Sequence, residues 1–284
     1  MEELATGYGL IEGPVWDNER GLIYSDVVNG GVRALSESGK ISTIVPKRRG
    51  VGGMAPHATG GLVIGGREII YEGFDGETHA TLLTPDVTDV AIGFNDLTTD
   101  EAGRIWVGSL AYRVILGEEE RPGHLHVIDL DGSVRTVSDG IVLTNGMAFS
   151  PDGKTLYHCD ARADLIRAYD VTAEAEVTGW RVFAEISGAS TPDGMAVAED
   201  GSVWVAIAEG GKVMVFEPDG SVRTEILTPI PMVTSVCFGG ADLQDFYIVT
   251  GSRNGPRENC GTIYRMRADV PGLPIAPAKV ALGS

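Results

Sequence analysis

The sequence predicts an all-β fold: a six-bladed β-propeller with four antiparallel strands per blade, its ring closed by an N-terminal strand. Two observations carry this reading. Short β-branched and aromatic runs punctuated by Gly, Asp and Pro recur from end to end, and almost no stretch has helical periodicity. Candidate unit starts fall near Glu12, Gly53, Asn95, Asn145, Asp193 and Ser235, at separations of 41, 42, 50, 48 and 42 residues. Such a period fits a four-stranded propeller blade.

The units parse alike. In the fourth, strands are expected over Met147–Ser150, Thr155–His158, Leu165–Val171 and Trp180–Ile186. The fifth is the clearest: Gly194–Ala198, a turn at Glu199-Asp200-Gly201, Val203–Ala208, Lys212–Glu217, a turn at Pro218-Asp219-Gly220, then Val222–Leu227. Asp-Gly and Pro-Asp-Gly suit tight turns because Gly tolerates positive φ and Pro presets the turn. The sixth supplies only Val236–Phe238, Phe246–Thr250 and Thr262–Met266 before a Pro-rich tail from Pro271, so its outer strand is expected from Leu4–Tyr8. Closure of this kind removes exposed sheet edges. No linker or composition shift divides the repeats, and residues 1–284 read as one domain. The longest departure is the charged insertion Ala111–Arg121 in the third unit, which reads as a lid over one mouth of the ring.

Hydrophobic residues make up 43% of the chain, enough for a large core, and 40 acidic against 22 basic residues give a formal charge of −18. That charge repels nucleic acid and anionic membranes; a cation or a neutral small molecule is the easier partner. The N-terminal Met1-Glu2-Glu3-Leu4 does not look like a secretory signal, and no apolar run reaches the roughly 18 residues of a membrane span, so a soluble, cytoplasmic protein is expected. Cys159, Cys237 and Cys260 lack paired spacing and read as free thiols buried in strands. The five histidines, at 57, 79, 124, 126 and 158, show no metal-binding spacing. Gly52-Gly53 and Gly65-Gly66 lack a phosphate-loop pattern and read as strand bends. The chain assigns no oligomeric state.

Three distant runs share one grammar: Glu12-Gly13-Pro14-Val15-Trp16, Asn145-Gly146-Met147-Ala148-Phe149 and Asp193-Gly194-Met195-Ala196-Val197. In a propeller the first strand of each blade lines the channel, so Glu12, Asn145 and Asp193 can meet at the axis, with Asn95 beside them. Such an all-oxygen set suits a hard divalent cation. The competing reading makes Asn145-Gly146 and Asp193-Gly194 hairpin turns. Against it, Glu12 is a poor turn former, Pro192 precedes Asp193, and each copy has a better turn signal a few residues later. Pattern alone leaves both readings open.

These runs, together with Phe94-Asn95-Asp96, Gly103-Arg104-Ile105-Trp106-Val107-Gly108, Thr144-Asn145-Gly146, Pro192-Asp193-Gly194-Met195, Trp204-Val205-Ala206 and Thr234-Ser235-Val236-Cys237-Phe238-Gly239-Gly240, resemble the senescence marker protein 30, gluconolactonase and luciferin-regenerating enzyme family over almost the whole chain. The resemblance implies one divalent cation held by Glu12, Asn145 and Asp193; the oxygen ligands favour Ca²⁺ and admit Mn²⁺, Zn²⁺, Fe²⁺ or Mg²⁺. It implies that Asn95 contacts substrate or bound water and that a lid glutamate, best matched by Glu119, reaches substrate hydroxyls. Sugar-lactone members similar to the animal protein carry Arg where this chain has Gly93; Arg113 or Tyr112 on the lid are the candidate replacements.

The expected activity is hydrolysis of a lactone, most plainly an aldonolactone, with Asp193 as general base. The alternatives are a phosphotriesterase similar to diisopropyl fluorophosphatase, or a calcium-binding regulatory protein without turnover. No nucleophile elbow or recognisable Ser-His-Asp order competes.

Overall fold

The computed structural model describes residues 1–283 apart from Asp89 and Ala189; of Val87 and Ile115 only the backbone is described. Asp89, Ala189 and Ser284, all within the expected domain 1–284, lie outside it. Six four-stranded antiparallel sheets form the six blades, and no α-helix occurs among the described residues. The innermost strands are Ile11–Asp17, Met54–His57, Gly93–Thr99, Thr144–Phe149, Thr191–Val197 and Val233–Gly239. Each packs against its neighbours on both sides, the last against the first, so the ring is closed. The sixth blade takes its outer strand from Glu2–Tyr8, which pairs antiparallel with Gly261–Arg267 in a register that sets Glu2 opposite Arg265 and Tyr8 opposite Gly261.

Burial explains which runs became which strands. Second strands are enclosed between neighbouring blades, and Val203–Ala208 is therefore apolar on both faces and wholly buried. The outer strand Val222–Leu227 is nearly all exposed and carries Arg223, Thr224 and Glu225. Apolar clusters fill the gaps between blades. The one between blades 5 and 6 includes Trp204, Phe238 and Phe246, whose ring centroids lie 4.6–5.3 Å apart in tilted and edge-on arrangements.

Antiparallel winding sorts the loops to two ends. The starts of the innermost strands share the upper end with the loops joining second to third strands. At the lower end, the Pro-rich tail left without a role by the sequence reading crosses beneath the channel. Its main chain bonds to blades 5 and 6 through Leu273 N to Val197 O (2.9 Å) and Gly272 N to Leu243 O (2.8 Å), and to blades 2 and 3 through Ala278 N to Pro56 O and Lys279 N to Gly103 O (both 2.8 Å). Between this strap and the innermost strands lies a cavity of about 740 Å³, lined among others by Trp16, Met54, Met147, Met195, Phe238 and Ile275.

Two expectations need correcting. Gly52-Gly53 and Gly65-Gly66 are not bends within strands; they lie just outside strands where blades converge. A Cβ on Gly52 would stand 2.2 Å from Asn95 Oδ1, and one on Gly65 2.8 Å from Asn95 O, so side chains are excluded by contact. Cys159 and Cys237 are free thiols buried in strands as expected, whereas Cys260, also free and buried, sits one residue before its strand.

Candidate functional site

Asn145-Gly146 and Asp193-Gly194 both lie inside innermost strands, which removes the turn reading. The local device is a bulge. Pairing with the second strand slips between Glu12 and Val15, Phe94 and Leu97, Thr144 and Met147, and Pro192 and Met195. An extra residue in one strand breaks the ladder and re-aims side chains, here where each polar residue sits. Gly13 adopts φ +55°, the left-handed region that penalises a Cβ. Gly146 and Gly194 serve close approach instead. A Cβ on Gly146 would meet Asp193 O at 2.6 Å, and one on Gly194 would meet Ser235 Oγ at 2.0 Å. The shared grammar thus has a cause: the polar residue faces the channel and the glycine lets the next blade close on it.

The fold brings Glu12, Asn95, Asn145 and Asp193 together at the upper end. Asn95 Nδ2 donates to Asn145 Oδ1 at 3.0 Å and to Thr144 O at 2.8 Å, which commits both its N–H groups to holding the neighbouring blade. Thr144 Oγ1 and the buried His158 Nε2 share a 2.7 Å hydrogen bond behind it. Burial pushes the His158 pKa down to about 3, helped by Arg167, so this imidazole is a neutral structural partner.

The carboxylates are the unusual part. Burial holds Glu12 well above the usual carboxylate range, and the charges of Asp193 and Asp96 add to it. Asp193 is likewise raised by burial and by Asp96, against the pull of Arg253, the Gly194 N–H and the Asn145 amide. Burial pushes Asp96 up to about 7. Asp193 Oδ1 is buried without a hydrogen-bond partner among the described residues. Buried carboxylates crowded together with an unmet acceptor are costly unless protons or a cation neutralise them. Among the described residues no three His, Cys, Asp or Glu side chains form a ligand cluster, so a cation here would rest on two carboxylates and an amide oxygen. Hard oxygen donors of that kind fit Ca²⁺ and similar ions.

Sequence reasoning missed Asp96 as a member of this group. Strict alternation would send it away from the channel if Asn95 faces it, and only the bulge between Phe94 and Leu97 frees two consecutive residues from that rule. The lid residues are less engaged. Tyr112 is buried beside the Arg162 guanidinium, and Arg113 is exposed with its Nη1 2.8 Å from Glu118 Oε1. Glu119 is exposed, between Glu118 and a Glu120 that pairs with Arg162 at 3.0 Å.

Fold and site together define a six-bladed propeller with a buried acidic centre at one end of its channel. The chain belongs to the SMP-30/Gluconolactonase/LRE-like family, which it matches over residues 10–252. It is 29% identical over 273 residues to 6-deoxy-6-sulfogluconolactonase of Pseudomonas putida, covering 92% of each chain. With Pentonolactonase XacC of Haloferax volcanii it shares 28% identity over 292 residues, 98% of this chain and 97% of the other. The luciferin-regenerating enzyme has the same fold, with a TM-score of 0.87 at 24% identity over 98% of this chain and 99% of that one.

Proposed function

We propose that this protein is a divalent-metal-dependent lactonase that opens an aldonolactone ring, with the cation held by Glu12, Asn145 and Asp193. The carrying observation is the buried Asp193 Oδ1 without a partner, in a carboxylate group whose proton affinities are raised by burial and mutual repulsion. Two relatives of near full coverage are named as lactonases of sugar-derived rings, which supports the reaction class. When bound, a divalent cation supplies Lewis-acid polarisation of the ring carbonyl and acidifies water.

The chain's own groups do the rest. Asp193 would accept the proton of the attacking water, a role suited to a buried carboxylate whose proton affinity burial and the Asp96 charge raise. Asn95 acts mainly through Asn145, since its N–H groups hold the next blade and only Oδ1 is left for a substrate hydroxyl. Glu119 and Arg113 at the mouth would read the substrate's hydroxyl pattern from solvent, while the buried Tyr112 would shape the wall behind them.

The test is a panel of aldonolactones, aliphatic lactones and an organophosphate, assayed after metal stripping and after add-back of Ca²⁺, Mn²⁺, Zn²⁺ or Mg²⁺. Chelation should abolish lactone opening, and Asp193→Asn should lower turnover by about a hundredfold or more while some metal binding persists. Full activity of the stripped protein or of the variant overturns the assignment. Organophosphate turnover without lactone turnover would favour the phosphotriesterase alternative.

A further inference from the structure

Charge at the upper mouth is not distributed like charge on the rest of the molecule. Against an overall −18, Lys47, Arg48, Arg49 and Arg67 stand on two adjacent loops, 46–53 and 65–68, with Glu68 the only acidic residue there. Of the other arginines at this end, Arg113, Arg162 and Arg253 have carboxylate partners in Glu118, Glu120 and Glu209, while Arg121 and Arg257 stand on separate loops. The four residues of the cluster form no ion pair among the described residues. Arg48 is the most constrained of them. Its Nη2 donates to the carbonyls of Glu68 (2.8 Å) and Gly65 (3.4 Å), and its Nε is buried without a partner. Burial lowers its pKa, and Glu68 and Glu72 act on it through space without pairing.

This guanidinium stands beside the site. The Gly65–Arg67 loop that receives it lies directly on the third blade: Phe94 N donates to Gly66 O at 2.7 Å, and a Cβ on Gly65 would come within 2.8 Å of Asn95 O. Arg67, exposed, has its Cα 3.4 Å from where a Cβ on Gly93 would be, and the absence of a side chain at Gly93 leaves that flank open. A guanidinium is a forked donor that matches carboxylate, sulfonate and phosphate oxygens, and a protein of this net charge otherwise repels anions.

We infer that the lactone this site takes is anionic, and that its carboxylate, sulfonate or phosphate substituent docks on Arg48 and Arg67 at the blade 2 edge of the mouth while the ring carbonyl lies over the acidic centre. The inference rests on the lactonase reading for the ring and adds the charge of the substituent. Lys47 and Arg49 raise the local concentration of such a substrate without having to touch it.

The test compares glucono-δ-lactone with its terminal phosphate ester and with the monolactone of glucaric acid, using the full chain with its metal restored. At low ionic strength kcat/KM should favour one or both anionic lactones by about tenfold or more, and salt should shrink the gap. Arg67→Ala and the milder Arg48→Lys should each reduce that preference several-fold through KM. The two anionic substrates distinguish a phosphate from a carboxylate. A neutral lactone processed as well as both anionic ones, or a preference that neither substitution moves, overturns the inference. If no lactone is opened, the lactonase reading falls and the subsite is judged by calorimetry with glucitol and its terminal phosphate. Phosphate-dependent binding weakened by Arg67→Ala upholds the subsite, and equal binding of the two probes overturns it.

Discussion

The two ends of the channel are made from the same innermost strands and are opposite in kind. At the upper end Glu12 and Asp193 are buried carboxylates with an unmet oxygen, and Asp96 acts on both through space from the wall of the lower cavity; at the lower end the strands turn Met54, Met147 and Met195 toward that cavity, floored by Leu273 and Ile275. One end carries electrostatic cost and the other carries packing. A strand of about seven residues is long enough to do both, because its first residues reach one mouth and its last the other. The comparison teaches that the propeller's stability and its chemistry are separated along each strand rather than between domains. Enzymes commonly concentrate destabilising groups where function needs them and offset them elsewhere.

The sharpest test of this contrast is Gly194→Ala. The new methyl would lie 2.0 Å from Ser235 Oγ and 2.7 Å from its Cα, forcing the innermost strands of blades 5 and 6 apart beside Asp193. A loss of about 3 kcal/mol in chemical denaturation and weaker divalent-cation binding by calorimetry are expected. Wild-type values of both would show that the upper end is not built on that close approach.

A second test uses pH on the metal-free protein. Glu12 and Asp193 hold their protons well above the usual range, and Asp96 to about 7, whereas in the unfolded chain carboxyls release them near pH 4. The folded state thus binds more protons over that interval. The stability these groups contribute is fully present below about pH 4 and is lost as pH rises through the folded values, by on the order of a few kcal/mol. The Tm of chelated protein should fall between about pH 4 and pH 8, and Asp96→Asn should flatten the fall. A Tm that rises across that range would break the contrast between the ends.

The smallest effect is expected below. Val280, buried at 2% exposure, anchors the strap in the cluster between blades 2 and 3, and Val280→Ala should cost about 1–2 kcal/mol in denaturation. Lactone turnover should stay at the wild-type level, since the strap closes the opposite end. A matching fall in turnover would mean the lower end feeds back on the site.

Much of this was legible in the sequence because it depends on local grammar. The blade count follows from the recurring starts; Val203–Ala208 falls where its apolar run between turn residues placed it, and the strand expected over Lys212–Glu217 runs from Lys212 to Phe216. The closing strand was legible as a deficit, three strands in the last unit and a spare one at the start. The strap was not, because Pro271–Val280 has no strand periodicity and its main-chain bonds go to partners up to about two hundred residues away. Asp96 was not, because a bulge breaks the alternation on which a strand reading depends. Arg48 and Arg67 belong to no motif, so nothing in the local pattern singles them out.

By itself the sequence determined the ring of six blades, the oxygen-bearing residues Glu12, Asn95, Asn145 and Asp193 that begin four of them, and the family to which the chain belongs. Those are properties of hydrophobic period, turn chemistry and residue order, which act over a few residues and are written consecutively. Only the tertiary structure decided that Asn95 holds Asn145, that Asp193 Oδ1 lacks a partner, that Asp96 acts on the other carboxylates, and that Arg48, without an ion-pair partner among the described residues, donates to the Gly65–Glu68 loop beside the Asn95 strand. Each of these depends on burial and on contact between blades some fifty residues apart, where desolvation and Coulomb terms are set by the neighbours that ring closure supplies.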